Sequence, residues 1–336
     1  MLSSGAGGAD RQERLQPLAS LPLLAVCGAT AGERERCLSL LRDRLQAEGL
    51  EVARQGLSRP WSSVQAEAAE MAEQSRLEGR LHGLCQRFDL VLVESAASLP
   101  LPYLWLEGGG LVSGVHGAAQ TSSGRALVWN SAQLVERVRA WLGQQWQQTP
   151  LWGCVLIGGK SRRMGRAKHL ISRQGHTWVE RGVQVLSRQV EQVVVSGTGE
   201  LPDSLRSLER VEDVAGLGGP IAGILAVMRH RPEVSWLVVA CDLPEMDERA
   251  LQWLLAARGP GVHGVLPDLN GNGMVEPLLA YYDFRARSAV EAIVAGGSLR
   301  INRLKSAPGI ITPQPPAELR RSWRNVNTPE ELANKP

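Results

Sequence analysis

The sequence predicts a two-unit α/β protein, in which a smaller α/β unit precedes a doubly wound, mostly parallel, Rossmann-like sheet. Short apolar runs alternate with longer segments of helical spacing along most of the chain, and this alternation is typical of parallel sheets. A length of 336 residues favours about two domains. The polar stretch 144–150, which ends in proline, separates two such series. We therefore predict a flexible tail at 1–20, a first domain at 21–148 and a second at 151–336.

In the first unit, helical spacing is clearest in the segment 33–48. Leu38, Leu41 and Leu45 fall on one face there, because residues three and four apart are neighbours on a helix. The short apolar runs around it are typical of buried strands. We predict strands at 21–27, 52–54, 90–93 and 126–129, and helices at 33–48, 63–86 and 131–147.

The second unit repeats the alternation of strand and helix more regularly. Asp247 is suited to cap one helix and Pro220 to occupy the first turn of another, since a carboxylate accepts from free amides and proline needs no donor there. Ligands of such sheets bind beyond the carboxyl ends of the strands. We predict strands at 151–157, 192–195, 208–211, 236–241, 262–266 and 277–281, and helices at 176–188, 220–231 and 247–258.

Bulk composition argues against several classes of protein. The charged fraction of 21% is ordinary for a globular domain, and a net charge of +3 is too weak to favour nucleic acid or an acidic membrane surface. Five scattered cysteines without a Cys-x-x-Cys pair are typical of reduced thiols. No apolar run reaches the ~18 residues that span a bilayer, and residues 1–20 lack a signal core. We expect a cytoplasmic protein that binds neither nucleic acid nor membrane.

The most informative stretch begins where the apolar run 151–157 ends. Gly158 and Gly159 follow it, and adjacent glycines let a backbone approach a ligand without a Cβ in the way. No Asp or Glu occurs between Leu151 and Val179. Guanidinium and amide donors in this arrangement favour a polyphosphate site, whereas the simpler interpretation is a solvated basic loop beside a tight turn. Five cationic residues follow within nine positions, namely Lys160, Arg162, Arg163, Arg166 and Lys168.

Two common phosphate-binding motifs do not fit this stretch. A Walker A loop places its lysine directly after the second glycine of Gly-x4-Gly-Lys-Ser/Thr, whereas Lys168 lies nine positions after Gly159. A dinucleotide fingerprint needs Gly-x-Gly-x-x-Gly, and the glycines here are adjacent. The stretch therefore belongs to neither class.

Two further strand ends carry carboxylates. The run 236–241 delivers Asp242 to the tip of a buried strand, and a lone carboxylate there is well placed to bind Mg²⁺. Asp213 precedes a glycine-rich helix start at 216–223, where backbone N–H groups and the helix dipole favour an anion. The structural alternatives are a turn-forming aspartate and close helix packing at Gly223.

These residues together resemble a known family. Residues 156–168 are similar to the nucleotidyltransferase signature Leu-Ala-Gly-Gly-x-Ser-x-Arg-Met-Gly-x-x-Lys, with Ile157 in place of the alanine. Within that superfamily the chain most resembles the molybdenum cofactor guanylyltransferases, the MobA-type enzymes, over residues 152–332, and this implies the nucleotidyltransferase type of sheet. Three further motifs follow in family order: Gly-Pro-Ile-Ala-Gly at 219–223, Cys-Asp-x-Pro at 241–244 and Asn-Val-Asn-Thr-Pro-Glu-Glu-Leu at 325–332.

The resemblance implies roles for the residues that match the family motifs. It implies a Mg²⁺ ligand at Asp242, and it implies that Lys168, Arg162 and Arg163 offset the charge of the leaving pyrophosphate. Ser196 stands where the guanylyl family often has asparagine, so its single hydroxyl either keeps that hydrogen bond or loses it. The implied nucleotide-binding positions are Leu156, Ile157, Gly158, Gly159, Lys168, Ser196, Asp213, Gly219 and Asp242.

Near the C-terminus the same resemblance implies an acceptor site. Asn325 and Asn327 would present their amides to the acceptor, while Thr328 caps a helix that begins at Pro329. Glu276 matches a family strand near the acceptor side. For Glu276, a solvated strand-end residue and a catalytic residue are both open interpretations.

The first unit carries a weaker resemblance. The segment 28–35 stands where the loop of a P-loop domain lies, but Glu33, Arg34 and Glu35 replace the required Gly, Lys and Ser/Thr. Two carboxylates repel phosphate, and the hydroxyl that binds Mg²⁺ is missing. With the run 89–94 downstream, the unit resembles a degenerate MobB-type (molybdopterin-guanine dinucleotide adaptor) domain, from which we expect no nucleotide hydrolysis. An unrelated α/β domain with a glycine-containing turn is an equal alternative.

The main resemblance implies an enzyme that transfers GMP from GTP to molybdopterin or its molybdenum form, releasing pyrophosphate, with Mg²⁺ as cofactor. Its partners would be GTP and molybdopterin, together with molybdoenzyme apoproteins or other cofactor-biosynthesis proteins. Gly158 and the Gly-Pro-Ile-Ala-Gly motif favour the guanylyl branch over the cytidylyl branch. Two alternatives stay open: a cytidylyl or sugar-phosphate nucleotidyltransferase, and a non-catalytic protein that binds or delivers the cofactor.

Overall fold

The computed structural model describes residues 21–57, 68–95, 101–107, 111–116, 128–129, 131–158, 167–173 and 175–326. Within these residues the chain forms two large sheets, each covered by helices on both faces, and a small two-stranded sheet. The predicted α/β class, with mostly parallel strands, is therefore confirmed. None of the described helices combines the length and the apolar character that crossing a bilayer requires.

The first sheet has the strand order β2-β3-β1-β4-β5-β6 among the described residues. Its strands are β1 Leu23–Gly28, β2 Val52–Gly56, β3 Leu90–Glu94, β4 Tyr103–Glu107, β5 Leu111–His116 and β6 Val128–Trp129, and its helices are α1 Ala31–Ala47, α2 Ala68–Cys85 and α3 Ser131–Gln147. The first four strands are parallel, and β5 is antiparallel to both of its neighbours.

Helices on both faces explain why the strands of this sheet are continuous apolar runs. Every residue of β1 is buried, because Leu24 and Val26 face α1 and α3, while Leu23 and Ala25 face α2. The hairpin of β4 and β5 was not predicted, since prolines and glycines flank its two short strands and obscure the pattern. Residues 63–67 and 126–127 of the predicted elements lie outside the described residues.

The second sheet has the order β11-β10-β7-β12-β14-β13-β15. Across the described residues it is parallel except at β14, which runs antiparallel to β12 and β13. The strands of this half are β7 Leu151–Leu156, β8 Ser172–Arg173, β9 His176–Thr177, β10 Gln192–Ser196, β11 Arg210–Val211, β12 Ser235–Ala240, β13 Gly264–Val265, β14 Leu279–Tyr282 and β15 Ile310–Ile311.

Helices cover this sheet on opposite faces, so it is doubly wound as predicted. The α-helices are α4 Trp178–Leu186, α5 Pro220–His230, α6 Glu248–Ala256 and α7 Ala286–Ala295, and short 3₁₀ turns lie at Lys168–Leu170, Asp203–Leu205, Ile301–Ser306 and Ala317–Trp323. Helices α4 and α6 share one core with the sheet. Helices α5 and α7 share the other.

The predicted helix at 176–188 is wrong at its start. His176 and Thr177 form β9, which pairs with β8, and the helix begins only at Trp178. A capping box sets this boundary: Thr177 N donates to Glu180 Oε2 (2.7 Å), and Glu180 N donates to Thr177 Oγ1 (3.3 Å). Helix α7 was not predicted, because Arg285 at its N-cap supplies no side-chain cap that a sequence pattern would reveal.

The two large sheets meet through the edges at which their parallel strands begin. His263 Nε2, just before β13, lies 2.7 Å from Asp89 Oδ1, just before β3. Arg285 follows the antiparallel β14 and donates from Nε to Phe88 O (3.2 Å) at the same edge. The carboxyl edges of the two sheets therefore face opposite directions. A ligand at the Gly28 turn and a ligand at Asp242 would occupy separate sites.

Candidate active site

Strands β7, β10 and β12 end in register at the carboxyl edge of the second sheet. Leu156, the last residue of β7, pairs with Ser196 in β10 and with Ala240 in β12. The chain order reverses on the two sides of β7, which is the position where open α/β sheets bind ligands. Because these strands end together, Gly158 and Asp242 leave the sheet side by side.

A cleft of about 320 Å³ opens at this edge. Its lining brings together residues that are far apart in the sequence and that were predicted to bind the nucleotide. The predicted residues found in the described lining are Leu156, Ile157, Gly158, Lys168, Asp213, Gly219 and Asp242. The described lining is completed by Pro220, Gly223, Ala240, Cys241 and Leu278.

An ion pair lies in the wall of this cleft. Lys168 Nζ donates to Asp242 Oδ2 at 2.8 Å, and the two side chains are only 16% and 19% exposed. The 3₁₀ turn that carries the lysine is held in place by the next residue, because His169 Nε2 lies 2.8 Å from Glu200 O. Partial exclusion of water strengthens the attraction between such charges. The fold thus places a cation beside the strand-end carboxylate.

Asp213 is the second carboxylate of the cleft. It is exposed, and Ser196 Oγ donates to its Oδ1 at 3.3 Å. Ser196 itself is fully buried, so its hydroxyl supports Asp213 from behind. A direct contact between Ser196 and the nucleotide stays a prediction.

Helix α5 begins at the cleft without a side-chain cap among the described residues. Gly219 is its N-cap with φ +76°, a left-handed conformation that favours glycine, and Pro220 occupies the first turn as predicted. The first amides of an uncapped helix lack intrahelical acceptors, and they attract anions together with the helix dipole. This helix start therefore suits a phosphate or another acceptor-rich group.

Gly223 packs where any side chain would collide. A Cβ there would lie 2.8 Å from Leu156 Cδ2, 3.0 Å from Ser196 Oγ and 3.1 Å from Asp213 Oδ1. The structure thus supports the close-packing interpretation of this glycine, and the same contact keeps the Leu156 side chain in the cleft wall.

We expect Gly223→Ala to weaken GTP binding about tenfold or more, because the added methyl displaces Leu156 and disturbs the Ser196–Asp213 hydrogen bond. Titration of GTP in a thermal-shift assay measures the effect. Gly218→Ala is the matched control, since a Cβ at that position meets nothing within 4 Å. Equal GTP affinity in the Gly223 and Gly218 variants would contradict the prediction.

Ile157, the departure from the family signature, is 6% exposed and belongs to the core that α4 and α6 share with the sheet. Its N–H donates to Ser196 O at 2.8 Å. Most of the volume by which isoleucine exceeds the alanine of the signature therefore lies in the core. The residue still contributes to the cleft wall.

Several of the predicted site residues are not found in the described lining of the cleft. Asn325 is exposed, and its neighbour Val326 donates from its N–H to Asp242 O at 3.0 Å, so the acceptor role of Asn325 stays a prediction. Glu276 is absent from the described cleft lining, and desolvation raises the pKa of its carboxyl. Outside the described residues lie Gly159, Lys160, Arg162, Arg163, Arg166, Asn327, Thr328 and Pro329.

Leu278 and Cys241 also line the cleft, although no sequence pattern predicted a place for them there. Leu278 reaches it because Ala240 N donates to Leu278 O (2.7 Å) across the sheet, and no local pattern predicts that pairing. Cys241 is 8% exposed, and burial raises the pKa of its thiol to about 12. The thiol is therefore protonated at neutral pH and is no nucleophile.

We expect Cys241→Ala to keep a transfer rate within about twofold of the unsubstituted protein, because only a thiolate takes part in covalent catalysis. A steady-state assay of the two proteins checks this. A loss of about a hundredfold in the variant with an unchanged melting temperature would show that the thiol takes part in the reaction.

In the first unit, the turn that matches a P-loop is filled by groups of its own chain. Arg34 Nη1 donates to Gly28 O and to Ala29 O, both at 2.9 Å. Glu33 Oε2 accepts from Thr30 N at 2.9 Å, which caps the start of α1 with a carboxylate. These contacts support our expectation that the unit hydrolyses no nucleotide, and both the expectation and the MobB-type resemblance stay predictions.

The second sheet and its cleft are those of the α/β nucleotidyltransferase class. Residues 153–305 match the family described as MobA-like NTP transferase domain. A probable molybdenum cofactor guanylyltransferase from Bacillus cereus is 31% identical over 147 residues, which cover 42% of this chain and 72% of the relative. The chain belongs to this molybdenum cofactor guanylyltransferase family.

Two further similarities extend the comparison. A molybdenum cofactor biosynthesis bifunctional protein from Synechocystis is 34% identical over 137 residues, and the match covers 40% of each protein. The chain therefore matches less than half the length of that relative. The crystal structure of molybdopterin-guanine dinucleotide biosynthesis protein A from Archaeoglobus fulgidus is 27% identical and covers 54% of this chain and 95% of that one, with a TM-score of 0.45.

Proposed function

We propose that this chain transfers GMP from GTP to the phosphate of molybdopterin, or of its molybdenum form, and releases pyrophosphate. The observation that carries the proposal is the Lys168–Asp242 ion pair of 2.8 Å in one cleft with Gly158 and the uncapped start of α5. The names of the relatives support the choice of GTP and molybdopterin.

The donor set at Asp242 suits Mg²⁺. Within the described residues no group of three or more His, Cys, Asp or Glu gathers to hold a metal ion, and Mg²⁺ needs no such group, because it is commonly bound by one or two carboxylates together with substrate phosphates and water. Asp242 would hold it. When bound, Mg²⁺ neutralises charge on the phosphate oxygens.

The reaction requires positioning and charge compensation more than covalent chemistry. An oxygen of the acceptor phosphate forms a bond to the α-phosphorus of GTP, the bond from that phosphorus to the bridging oxygen breaks, and pyrophosphate leaves with the electron pair. The attacking oxygen is already anionic, so no strong general base is needed. In our proposal Lys168, Arg162 and Arg163 compensate the charge on the leaving group.

The main-chain groups of the cleft would bind the rest of the nucleotide. Gly158 has φ +106°, which favours glycine, and the absence of its Cβ lets the nucleotide approach the backbone. Asp213 would bind the nucleoside, braced by Ser196. We further propose that residues 151–336 hold this activity, and that the unit at 21–148 binds no nucleotide productively.

Incubation of the protein with GTP, Mg²⁺ and molybdopterin, followed by mass analysis of the product, tests this function. We expect the guanine dinucleotide of molybdopterin and one pyrophosphate per product, and no product from Lys168→Ala. Thermal-shift titrations with GTP, CTP and UTP separate the guanylyl enzyme from the cytidylyl and sugar-phosphate alternatives. GTP binding without pyrophosphate release would instead favour a non-catalytic carrier of the cofactor.

A further inference from the structure

The loop that follows β10, residues 197–200, packs against the main chain that leaves β7 at the nucleotide cleft. We call this segment the β10 loop. A Cβ at Gly197 would lie 2.0 Å from Ile157 O, and a Cβ at Gly158 would lie 3.7 Å from Thr198 N. The β10 loop is therefore in close contact with the glycine turn that is proposed to admit the nucleotide.

Lys168 reaches the same cleft from a separate and very short element, the 3₁₀ turn Lys168–Leu170, which we call the lysine turn. Leu170 N donates to Ala167 O at 3.1 Å, and Ile171 N donates to Lys168 O at 3.0 Å. Hydrogen bonds of a 3₁₀ turn have poorer geometry than those of an α-helix. The position of the lysine turn therefore depends on its contacts with the rest of the fold.

His169 connects the lysine turn to the β10 loop. It is 3% exposed, whereas Lys168 and Leu170 on either side of it are only partly buried. Its Nε2 lies 2.8 Å from Glu200 O, a residue 31 positions away. A carbonyl oxygen only accepts hydrogen bonds, so Nε2 carries a proton in the neutral ring and in the charged ring alike. The hydrogen bond to the loop therefore does not depend on the charge of the imidazole.

Gly199 of the β10 loop leaves room for the imidazole ring. Its φ of +132° favours glycine. A Cβ at this position would lie 2.7 Å from His169 Cε1 and 3.1 Å from His169 Nε2, and the shorter of these distances is closer than atoms pack without displacement. The ring and the loop thus fit each other closely, which selects one position of the lysine turn.

The carboxylate that pairs with Lys168 is anchored near the other end of the lysine turn. Val326 N donates to Asp242 O at 3.0 Å, and Val326 packs with Ile171 and Trp178 in a small buried cluster. Ile171 directly follows the lysine turn. Both members of the ion pair, with 2.8 Å between Nζ and Oδ2, are therefore held by contacts of one short segment.

We propose that His169 is a positioning residue for the transfer, which holds Lys168 beside Asp242 through its hydrogen bond to the β10 loop. This inference rests on the proposed function. A lysine side chain loses much rotamer freedom when it is fixed, so a fixed main chain limits the positions that its ammonium can reach. Misplacement of a reacting group by about 1 Å can cost ~10²-fold in rate. His169 therefore acts on the rate through Lys168 and does not itself touch the substrate.

Two amide variants of His169 test this role. The amide nitrogen of glutamine reaches about as far from the main chain as imidazole Nε2, whereas that of asparagine reaches only as far as Nδ1. We expect His169→Gln to keep kcat within about threefold and His169→Asn to lower it about tenfold or more, with an unchanged KM for molybdopterin in both. His230→Asn is the control, because His230 Nε2 lies 2.6 Å from Glu209 Oε1 at the far end of α5. Equal kcat in the two His169 variants would overturn the proposal.

Acetylation of lysine separates failure of this inference from failure of the proposed function, because it needs no substrate. The full chain is treated briefly with an amine-directed acetylating reagent, and peptide mass analysis compares Lys168 with Lys305 as the internal reference. Lys168 is 16% exposed and paired with Asp242, so we expect it to react slowly in the unsubstituted protein, in His169→Gln and in His230→Asn.

We expect severalfold faster acetylation of Lys168 in His169→Asn. Gly199→Ala, whose methyl displaces the ring without removing it, is a second variant with the same expected result. Equal acetylation of Lys168 in all these proteins overturns the proposal, whether or not transfer with GTP is observed. A lower melting temperature as the only change in His169→Asn and Gly199→Ala would show a purely structural role and would overturn it as well.

Discussion

Asp242→Asn is expected to lower the rate of guanylyl transfer by a factor of about 10³ while the protein stays folded. The amide has almost the shape of the carboxylate, so the packing of a side chain that is 19% exposed changes little. It lacks the negative charge that would hold Mg²⁺ and that faces the Lys168 ammonium at 2.8 Å. The rate of product formation at saturating GTP and molybdopterin measures the loss.

Asp203→Asn makes the same chemical change at an exposed turn and is the control for Asp242→Asn. Asp203 is 84% exposed and pairs with Arg206 at 2.7 Å. Exposed ion pairs contribute little to stability, so we expect the transfer rate of Asp203→Asn to match that of the unsubstituted protein. Both variants should keep the far-UV circular dichroism of the parent. A wild-type rate in Asp242→Asn would contradict the assignment of Asp242 to the catalytic residues.

The second large effect concerns the contact between the two halves of the chain. Arg285→Leu is expected to lower the free energy of unfolding by about 3–5 kcal/mol, because it leaves a buried carboxylate without its partner. Arg285 is 3% exposed, and its Nη1 donates to the fully buried Asp283 at 2.8 Å. Its guanidinium also lies 4.1 Å from the ring centre of Trp146, in the first half. Urea unfolding measures the change.

Arg229→Leu is the control for the buried arginine. Arg229 pairs with Glu291 at 3.2 Å on the surface, where the two side chains are 49% and 42% exposed, and exposed pairs contribute about 0–1 kcal/mol. A loss below 1 kcal/mol in Arg285→Leu would contradict our view that this ion pair is costly to break. We also expect Arg285→Leu to keep GTP binding under folding conditions, because the nucleotide cleft lies at the opposite edge of the sheet.

Local patterns in the sequence predicted most of the longer helices and strands and many of the residues that line the site. The apolar runs before Gly158 and Asp242 indicated buried strands, and both residues do follow strands at the carboxyl edge. Asp247 caps α6 through Ala250 N, and Pro220 begins α5, as their residue types predict. These features depend on neighbours a few positions away, so periodicity and capping chemistry are sufficient to identify them.

Long-range strand pairing explains the features that no sequence pattern predicted. The start of α4 depends on a hairpin between β8 and β9, and the role of Leu278 depends on β14 lying beside β12. The hydrogen bond from the buried Ser196 hydroxyl to Asp213 likewise joins two separate strand ends, while a contact between Ser196 and the nucleotide stays a prediction. Strand order, register and the facing of a side chain are set by packing across the sheet, which no local pattern specifies.

By itself, the sequence determined the α/β class, the glycine and cationic segment after the first strand of the second half, and the carboxylate at the end of a later strand. Only the tertiary structure decided that Lys168 pairs with Asp242 across 74 positions, and that the two sheets meet at the ends where their parallel strands begin. The physical reason is the sequence separation over which the interactions act. Hydrophobic periodicity and helix caps depend on residues a few positions apart. The tertiary arrangements depend on strands packed in register and on buried charges whose partners lie far along the chain.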